Sequence, residues 1–186
     1  MNMVERIKGY FAKKRLRKDH SAARMRQVIN LHDARSVAFL YTSTDEATYI
    51  LVKQFAEKIT SHFGTRKTLA LAYIPEKEAP SYHTHLLHSD YFTKKDVNWY
   101  GYPSCPAVDT FVQEDYDILI DISSGENGPL NYILDRSLAR FKVGRTPDGG
   151  DYDLIVPTRP GATLDAYLSR IIHILSQINH EKSRIA

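Results

Sequence analysis

Ser123, Ser124, Gly125, Asn127 and Gly128 stand between an apolar run and a run of helical spacing in DYDILIDISSGENGPLNYILDRS (115–137). A loop of small residues entering a helix leaves backbone N–H groups free beside the positive helix end, which suits an anion such as phosphate. In open α/β sheets, ligands bind outside the carboxyl ends of the strands. The stretch holds neither G-x-G-x-x-G nor G-x-x-x-x-G-K-[ST], and Glu126 would oppose a phosphate. A strand-to-helix turn also needs small and capping residues for structure alone, so both readings stay open.

STDEATY (43–49) occupies the equivalent place after an earlier apolar run. Ser43 or Thr44 can serve as N-cap with acids in the first turn, or contribute to the same ligand site. TKKDVNWYGYP (93–103) places Lys94, Lys95, Asn98, Trp99 and Tyr100 in a loop. Aromatic rings with basic neighbours stack sugars or nucleobases. The alternative is that Trp99 and Tyr102 plug the open end of the core while the lysines face water.

His83, His85 and His88 bring metal ligation to mind, but no acid or cysteine completes a ligand set, and they read as surface histidines. The single cysteine, Cys105, has no evident base beside it and reads as inert. No nucleophile elbow and no catalytic carboxylate pair is recognisable. No metal, no cofactor and no catalytic residue is therefore assigned, and whether the chain is an enzyme stays open.

The elements that must position these residues follow from periodicity. SVAFLYT (36–42) reads as a buried strand, followed by a helix to about residue 62 that buries Ala47, Ile50, Leu51, Phe55 and Ile59 and stops at Gly64. KTLALAYI (67–74) is a second buried strand, making a right-handed parallel crossover unit. Residues 75–105 show little periodicity, with DYF (90–92) as a short strand. A short helix is expected over 106–114, opened by Pro106. YDILIDI (116–122) is a strand buried on both faces. The next helix starts at Pro129 with Leu130, Ile133, Leu134 and Leu138 on one face. RFKVG (140–144) and YDLIVP (152–157) read as strands joined by the turn TPDGGD, the second antiparallel to the first at a sheet edge. The last helix is expected over 163–180. Strands alternating with helices predict an α/β fold: a three-layer Rossmann-like sandwich with a mostly parallel sheet of five or six strands. The expected organisation is a basic N-terminal helix (1–30) and one α/β domain (31–186).

Charge is distributed unevenly. Residues 1–30 hold nine Lys/Arg and two acids, +7; the remaining 16 bases and 20 acids of the 25 and 22 in the chain give −4. Met3, Val4, Ile7, Tyr10 and Phe11 recur at helical spacing, as do Met25, Val28 and Ile29. Between them AKKRLRKDHSAAR (12–24) is basic almost all round, so a projecting helix is expected there. Arg6, Lys8, Lys13, Lys14, Arg15, Arg17, Lys18, Arg24 and Arg26 would form a positive rod for RNA phosphates, with the ribosome as one setting. The same helix suits an anionic membrane surface, or stays solvated. No apolar run approaches the ~20 residues of a membrane span. The lone cysteine and the missing apolar leader point to a reducing cytoplasm.

VNWYGYP, YDILIDIS, PLNYILDRSLARFKVGR and YDLIVP, in this order, resemble an uncharacterised domain-of-unknown-function family of small α/β proteins from Bacteroidetes. The resemblance covers nearly the whole chain, most specifically 116–145. It implies a fold and a bacterial cytoplasmic setting and carries no activity and no functional residues. The DILIDI and LDRSLARFKVGR segments also look like a strand–helix–strand piece of the N-terminal domain of heptosyltransferase-type glycosyltransferases. This chain departs from those enzymes in being too short for the second Rossmann domain that would hold a sugar nucleotide.

The expected function is non-enzymatic docking on RNA or a ribonucleoprotein through the basic helix. The second expectation is binding of a nucleotide or sugar phosphate by Ser43, Thr44, Asn98, Trp99, Ser123, Ser124, Gly125 and Asn127, with the loops at 43–46, 94–101 and 123–129 converging. Peripheral membrane attachment is the third. Oligomeric state is not read from the sequence.

Overall fold

The computed structural model describes residues 24–123, 127–147, 150–159 and 161–178. Six strands form one sheet: β1 (Ser36–Thr42), β2 (Lys67–Ile74), β3 (Ser89–Thr93), β4 (Ile118–Asp121), β5 (Phe141–Gly144) and β6 (Leu154–Ile155). Their spatial order is β3-β2-β1-β4-β5-β6, and every neighbouring pair is parallel. This is the strand order of the doubly wound Rossmann arrangement.

Alternation along each strand sorts side chains to two faces. Val37, Phe39 and Tyr41 of β1, with Ile118 and Ile120 of β4, meet α1 (Glu46–Phe63) and α4 (Leu164–Gln177). Ala38, Leu40 and Leu119 meet α2 (Pro106–Gln113) and α3 (Gly128–Arg136) on the other side. The three-layer α/β sandwich expected from the sequence is the one observed.

Several local expectations are corrected. Asp45, not Ser43 or Thr44, caps α1, its side chain accepting the Thr48 N–H. The buried face of α1 is Tyr49, Val52, Phe55, Ala56 and Ile59, while Ile50 is 42% exposed. Helix α3 ends at Arg136, so Leu138 lies beyond it and is exposed. The final helix stops at Gln177, with Ile178 as its C-cap.

Strand β6 is parallel to β5, not antiparallel. A parallel pair cannot be joined by a two-residue hairpin, so the described residues 150–153 lead into β6 from its other end. Two glycines make room for this connection: a Cβ on Gly150 would lie 2.0 Å from Cδ2 of Leu134, and one on Gly144 would lie 2.3 Å from the Tyr152 ring. Side chains there would hold the connection off α3 and β5.

The helix expected through residue 30 does not extend over 24–30, which are irregular. That segment runs along the β5 side of the molecule, with the Gln27 N–H on the Arg140 carbonyl and the Leu31 N–H on the Leu175 carbonyl. A helix would consume those donors internally; here they tie the segment to the body. Residues 1–23 lie outside the described residues.

Candidate functional site

Strand β1 has β2 on one side and β4 on the other, and the helices that follow β1 and β4 lie on opposite faces of the sheet. That reversal opens a crevice at the carboxyl ends of the two central strands. Asn127 spans it: its Nδ2 donates to Thr42 Oγ1 at 3.0 Å, while its Oδ1 accepts the Leu130 N–H at 3.4 Å and caps α3. The last residue of β1 and the start of α3 are thereby joined.

The two helix starts at this crevice differ in charge. Helix α1 begins with Asp45 and Glu46. The Thr48 N–H bond to Asp45 holds its carboxyl below the usual range, so this end carries negative charge. Helix α3 has a neutral cap and no acid in its first turn. Gly128 opens it toward free space, with nothing within 4 Å of an added Cβ. The neutral cap and the dipole favour an anion at α3, against the acid Glu126 just before the cap, and the acidic first turn repels one at α1.

The remaining site residues read from the sequence divide. Ser43 is buried, its Oγ 2.8 Å from Nε2 of His83, and burial pushes that imidazole down, keeping it neutral near pH 7. Ser43 thus serves a core hydrogen bond, and His83 is a core histidine rather than the surface one expected. Thr44 Oγ1 donates to Asp45 Oδ2 at 3.0 Å. Ser123 gives both its N–H (2.9 Å) and its Oγ–H (2.6 Å) to Oδ1 of Asp121. Asn98 turns inward to its own hairpin, its Oδ1 accepting the N–H groups of Tyr100 and Tyr102, both at 3.0 Å. Trp99 does not plug the core: it is 67% exposed. Tyr102 packs on Tyr132 of α3, centroids 4.7 Å apart. The loop at 94–102 therefore reaches α3, while the Asn127–Thr42 bond reaches it from the end of β1. Ser124 and Gly125 lie outside the described residues.

A second polar cluster at the same end of the sheet escaped the sequence reading. Asp121, the last residue of β4, is buried, and burial pushes its carboxyl above the usual range. Oδ2 accepts the Tyr152 hydroxyl at 2.5 Å. Tyr167, in the first turns of α4, is 1% exposed and its hydroxyl has no hydrogen-bond partner among the described residues. The Arg145 guanidinium covers the Tyr167 ring at 4.7 Å, and its Nε donates to Thr158 Oγ1 at 2.8 Å. One signal was legible: an acid inside the apolar run YDILIDI, where an unpartnered carboxylate would be costly. Its partner Tyr152 lies 31 positions on, and nothing local announces it.

Of the nine bases read as phosphate ligands, Arg24 and Arg26 fall among the described residues. Arg24 Nη2 meets Asp153 Oδ1 at 2.8 Å with the Arg24 side chain 7% exposed, and Nη1 donates to the carbonyls of Ala139 and Arg140. Arg26 Nη2 meets Asp151 Oδ2 at 2.6 Å. Both guanidiniums are consumed by carboxylates of the same chain. Arg6, Lys8, Lys13, Lys14, Arg15, Arg17 and Lys18 lie outside the described residues.

Among the described residues no group of three His, Cys, Asp or Glu side chains could hold a metal ion, and no helix is long and apolar enough to cross a membrane. Burial pushes the Cys105 thiol up, away from the thiolate a nucleophile needs.

A family model described as a family of unknown function (DUF6913) matches residues 8–178, and the chain belongs to that family. No curated protein and no solved structure matches.

Proposed function

We propose that this member of the family binds a small phosphorylated ligand, a nucleotide or a sugar phosphate, in the crevice between the carboxyl ends of β1 and β4. The observation that carries this reading is the reversal of strand order at β1/β4, bridged by the Asn127–Thr42 bond. The neutral, open start of α3 supports placing the phosphate there, and the acidic start of α1 argues against the other helix. No nucleophile or general base is assigned, so the reading is one of binding rather than of a reaction. Thermal unfolding with nucleotides, nucleotide sugars and sugar phosphates tests it. A binder raises the melting temperature with concentration; no response across all three classes refutes it.

A second reading rests on charge. Residues 1–23 keep seven bases against two acids, +5, after Arg24 and Arg26 are set aside. That excess supports docking on RNA or a ribonucleoprotein in a cytoplasmic setting, with an anionic membrane as the competing surface. Co-sedimentation with RNA and flotation with anionic vesicles, each with and without residues 1–23, separate the two. Equal RNA binding after truncation sinks the role of this segment.

A further inference from the structure

An arginine that leaves water is expected beside a carboxylate, because an unpaired charge is costly to bury. Among the described residues Arg24, Arg140 and Arg145 are partly buried, and every other arginine is exposed. Arg24 has Asp153 at 2.8 Å and Arg140 has Asp115 at 2.9 Å. Arg145 has no carboxylate at ion-pair distance among the described residues. Its guanidinium is nevertheless held in place. The central carbon lies 4.7 Å from the centre of the Tyr167 ring, and Nε donates to Thr158 Oγ1 at 2.8 Å. Those contacts leave Nη1 and Nη2 without a hydrogen bond to any described residue. These are the paired donors that suit carboxylate and phosphate oxygens.

Position and a second side chain point the same way. Arg145 follows Gly144, the last residue of β5, and so stands at the carboxyl end of the sheet, where open α/β folds bind ligands. Tyr167 belongs to α4, on the face opposite α3. Its hydroxyl is buried with no hydrogen-bond partner among the described residues, a costly state that calls for an absent partner. That hydroxyl is carried on the ring Arg145 covers, so it is no further from the guanidinium than one phosphate or carboxylate group can bridge. Two acids belong to the same surroundings. Asp121 is engaged by Ser123 and Tyr152, and burial favours its protonated form. Asp165, in the first turn of α4, is exposed to water. Neither reaches Arg145 at ion-pair distance.

We propose that Arg145 and Tyr167 form a binding site for an oxyanion, the phosphate or carboxylate group of a small ligand, at the carboxyl end of β5. Nη1 and Nη2 of Arg145 donate to its oxygens, and the Tyr167 hydroxyl donates a further bond. A neutral ligand would satisfy these donors but leave the partly buried charge unmet, which selects an anion. A guanidinium already held by a ring and by Thr158 loses little freedom on taking it. The site lies on the α4 face and does not depend on a phosphate over the start of α3.

The full chain is titrated by calorimetry with inorganic phosphate and with acetate, chloride holding the ionic strength constant. Saturable binding is expected; phosphate alone identifies a phosphoryl ligand, acetate alone a carboxylate. Arg145→Gln should abolish the binding. Arg145→Lys keeps the charge without the fork and should weaken it about 10-fold. Tyr167→Phe should also weaken it about 10-fold, while its melting temperature without the anion holds or rises, since an unpaired buried hydroxyl has been removed. The lysine and phenylalanine variants decide the matter should Arg145→Gln not fold. No saturable binding of either anion overturns the site, as does undiminished binding in the Arg145 variants. A lower melting temperature of Tyr167→Phe without anion shows that the hydroxyl already has a partner and overturns its part. Binding lost in Asn127→Asp but kept in Arg145→Gln assigns the anion to α3 and overturns the site at β5.

Discussion

The Tyr152 hydroxyl donates to Oδ2 of Asp121 at 2.5 Å, joining the connection that precedes β6 to the last residue of β4. The bond crosses the carboxyl end of β5, where Gly144 leaves space for the tyrosine ring. It satisfies a buried acid and fixes the return path of the chain at once.

Burial raises the Asp121 carboxyl above its usual value of about 3.9. Above that value the unfolded chain releases the proton first while the fold retains it. Asp121 therefore subtracts stability as pH rises from ~4 toward its folded value. Asp121→Asn keeps an acceptor oxygen for Ser123, turns the bond to Tyr152 around so that Nδ2 donates to the tyrosine oxygen, and removes the titration. Urea midpoints measured against pH should show the wild type losing ground to the variant across that rise. Parallel profiles would exclude a buried titrating carboxyl here.

Asn127→Asp separates folding from binding. A carboxylate at this cap still accepts the Leu130 N–H and favours the α3 dipole by roughly 0.3–1 kcal/mol. Thr42 can donate in place of accepting. The melting temperature should hold or rise, while any phosphorylated ligand found in the screen should bind at least ~10-fold more weakly, since like charges meet at the phosphate position. Undiminished binding would move the phosphate away from α3.

Arg24 and Arg26 share their carboxylates but not their burial. Removing Arg24 takes away the buried partner of Asp153 and leaves it the exposed Arg26 at 3.2 Å and the Lys142 N–H, a change that costs up to about 3–5 kcal/mol. Arg26 is mostly exposed, and Arg26→Ala should cost no more than ~1 kcal/mol. Denaturant unfolding of the two alanine variants checks the ranking. Similar losses would mean that the segment is not anchored through Arg24.

Lys142 sits in β5 at 1% exposure with its ammonium 2.6 Å from the Leu134 carbonyl near the end of α3. Burial, with Arg24 adding repulsion, pushes its pKa down to about 8 from 10.5. Between those values the unfolded chain holds more protons, so stability rises with pH across 8 to 10.5. At pH 7 the buried charge opposes folding. Lys142→Met should stabilise the protein at pH 7 by about 1–3 kcal/mol. The gain should shrink as pH climbs through the window, and a constant gain would point to packing instead.

Helix and strand positions were legible where the apolar pattern was strong. SVAFLYT, KTLALAYI and YDILIDI all became central strands, because a run buried on both faces has few alternatives. The face of α1 was misread because the cap is Asp45, and Tyr49 and Val52 rather than Ile50 turn inward. Ser43 was read as a cap or a ligand because its buried partner, His83, is 40 positions away. Asn127 and Trp99 were singled out as candidate ligand residues from local composition. Asp121, Tyr152, Tyr167 and Arg145 were not, since only the folded sheet brings them together.

From its sequence the chain specifies a layered α/β domain, since alternation and apolar spacing are local properties that dictate which side of each element must leave water. Sheet order, the parallel course of β6, the capture of Arg24 by Asp153 and the seat of Arg145 on the Tyr167 ring were decided by the tertiary structure. Each depends on contacts between distant segments, and a linear pattern records burial without naming the partner.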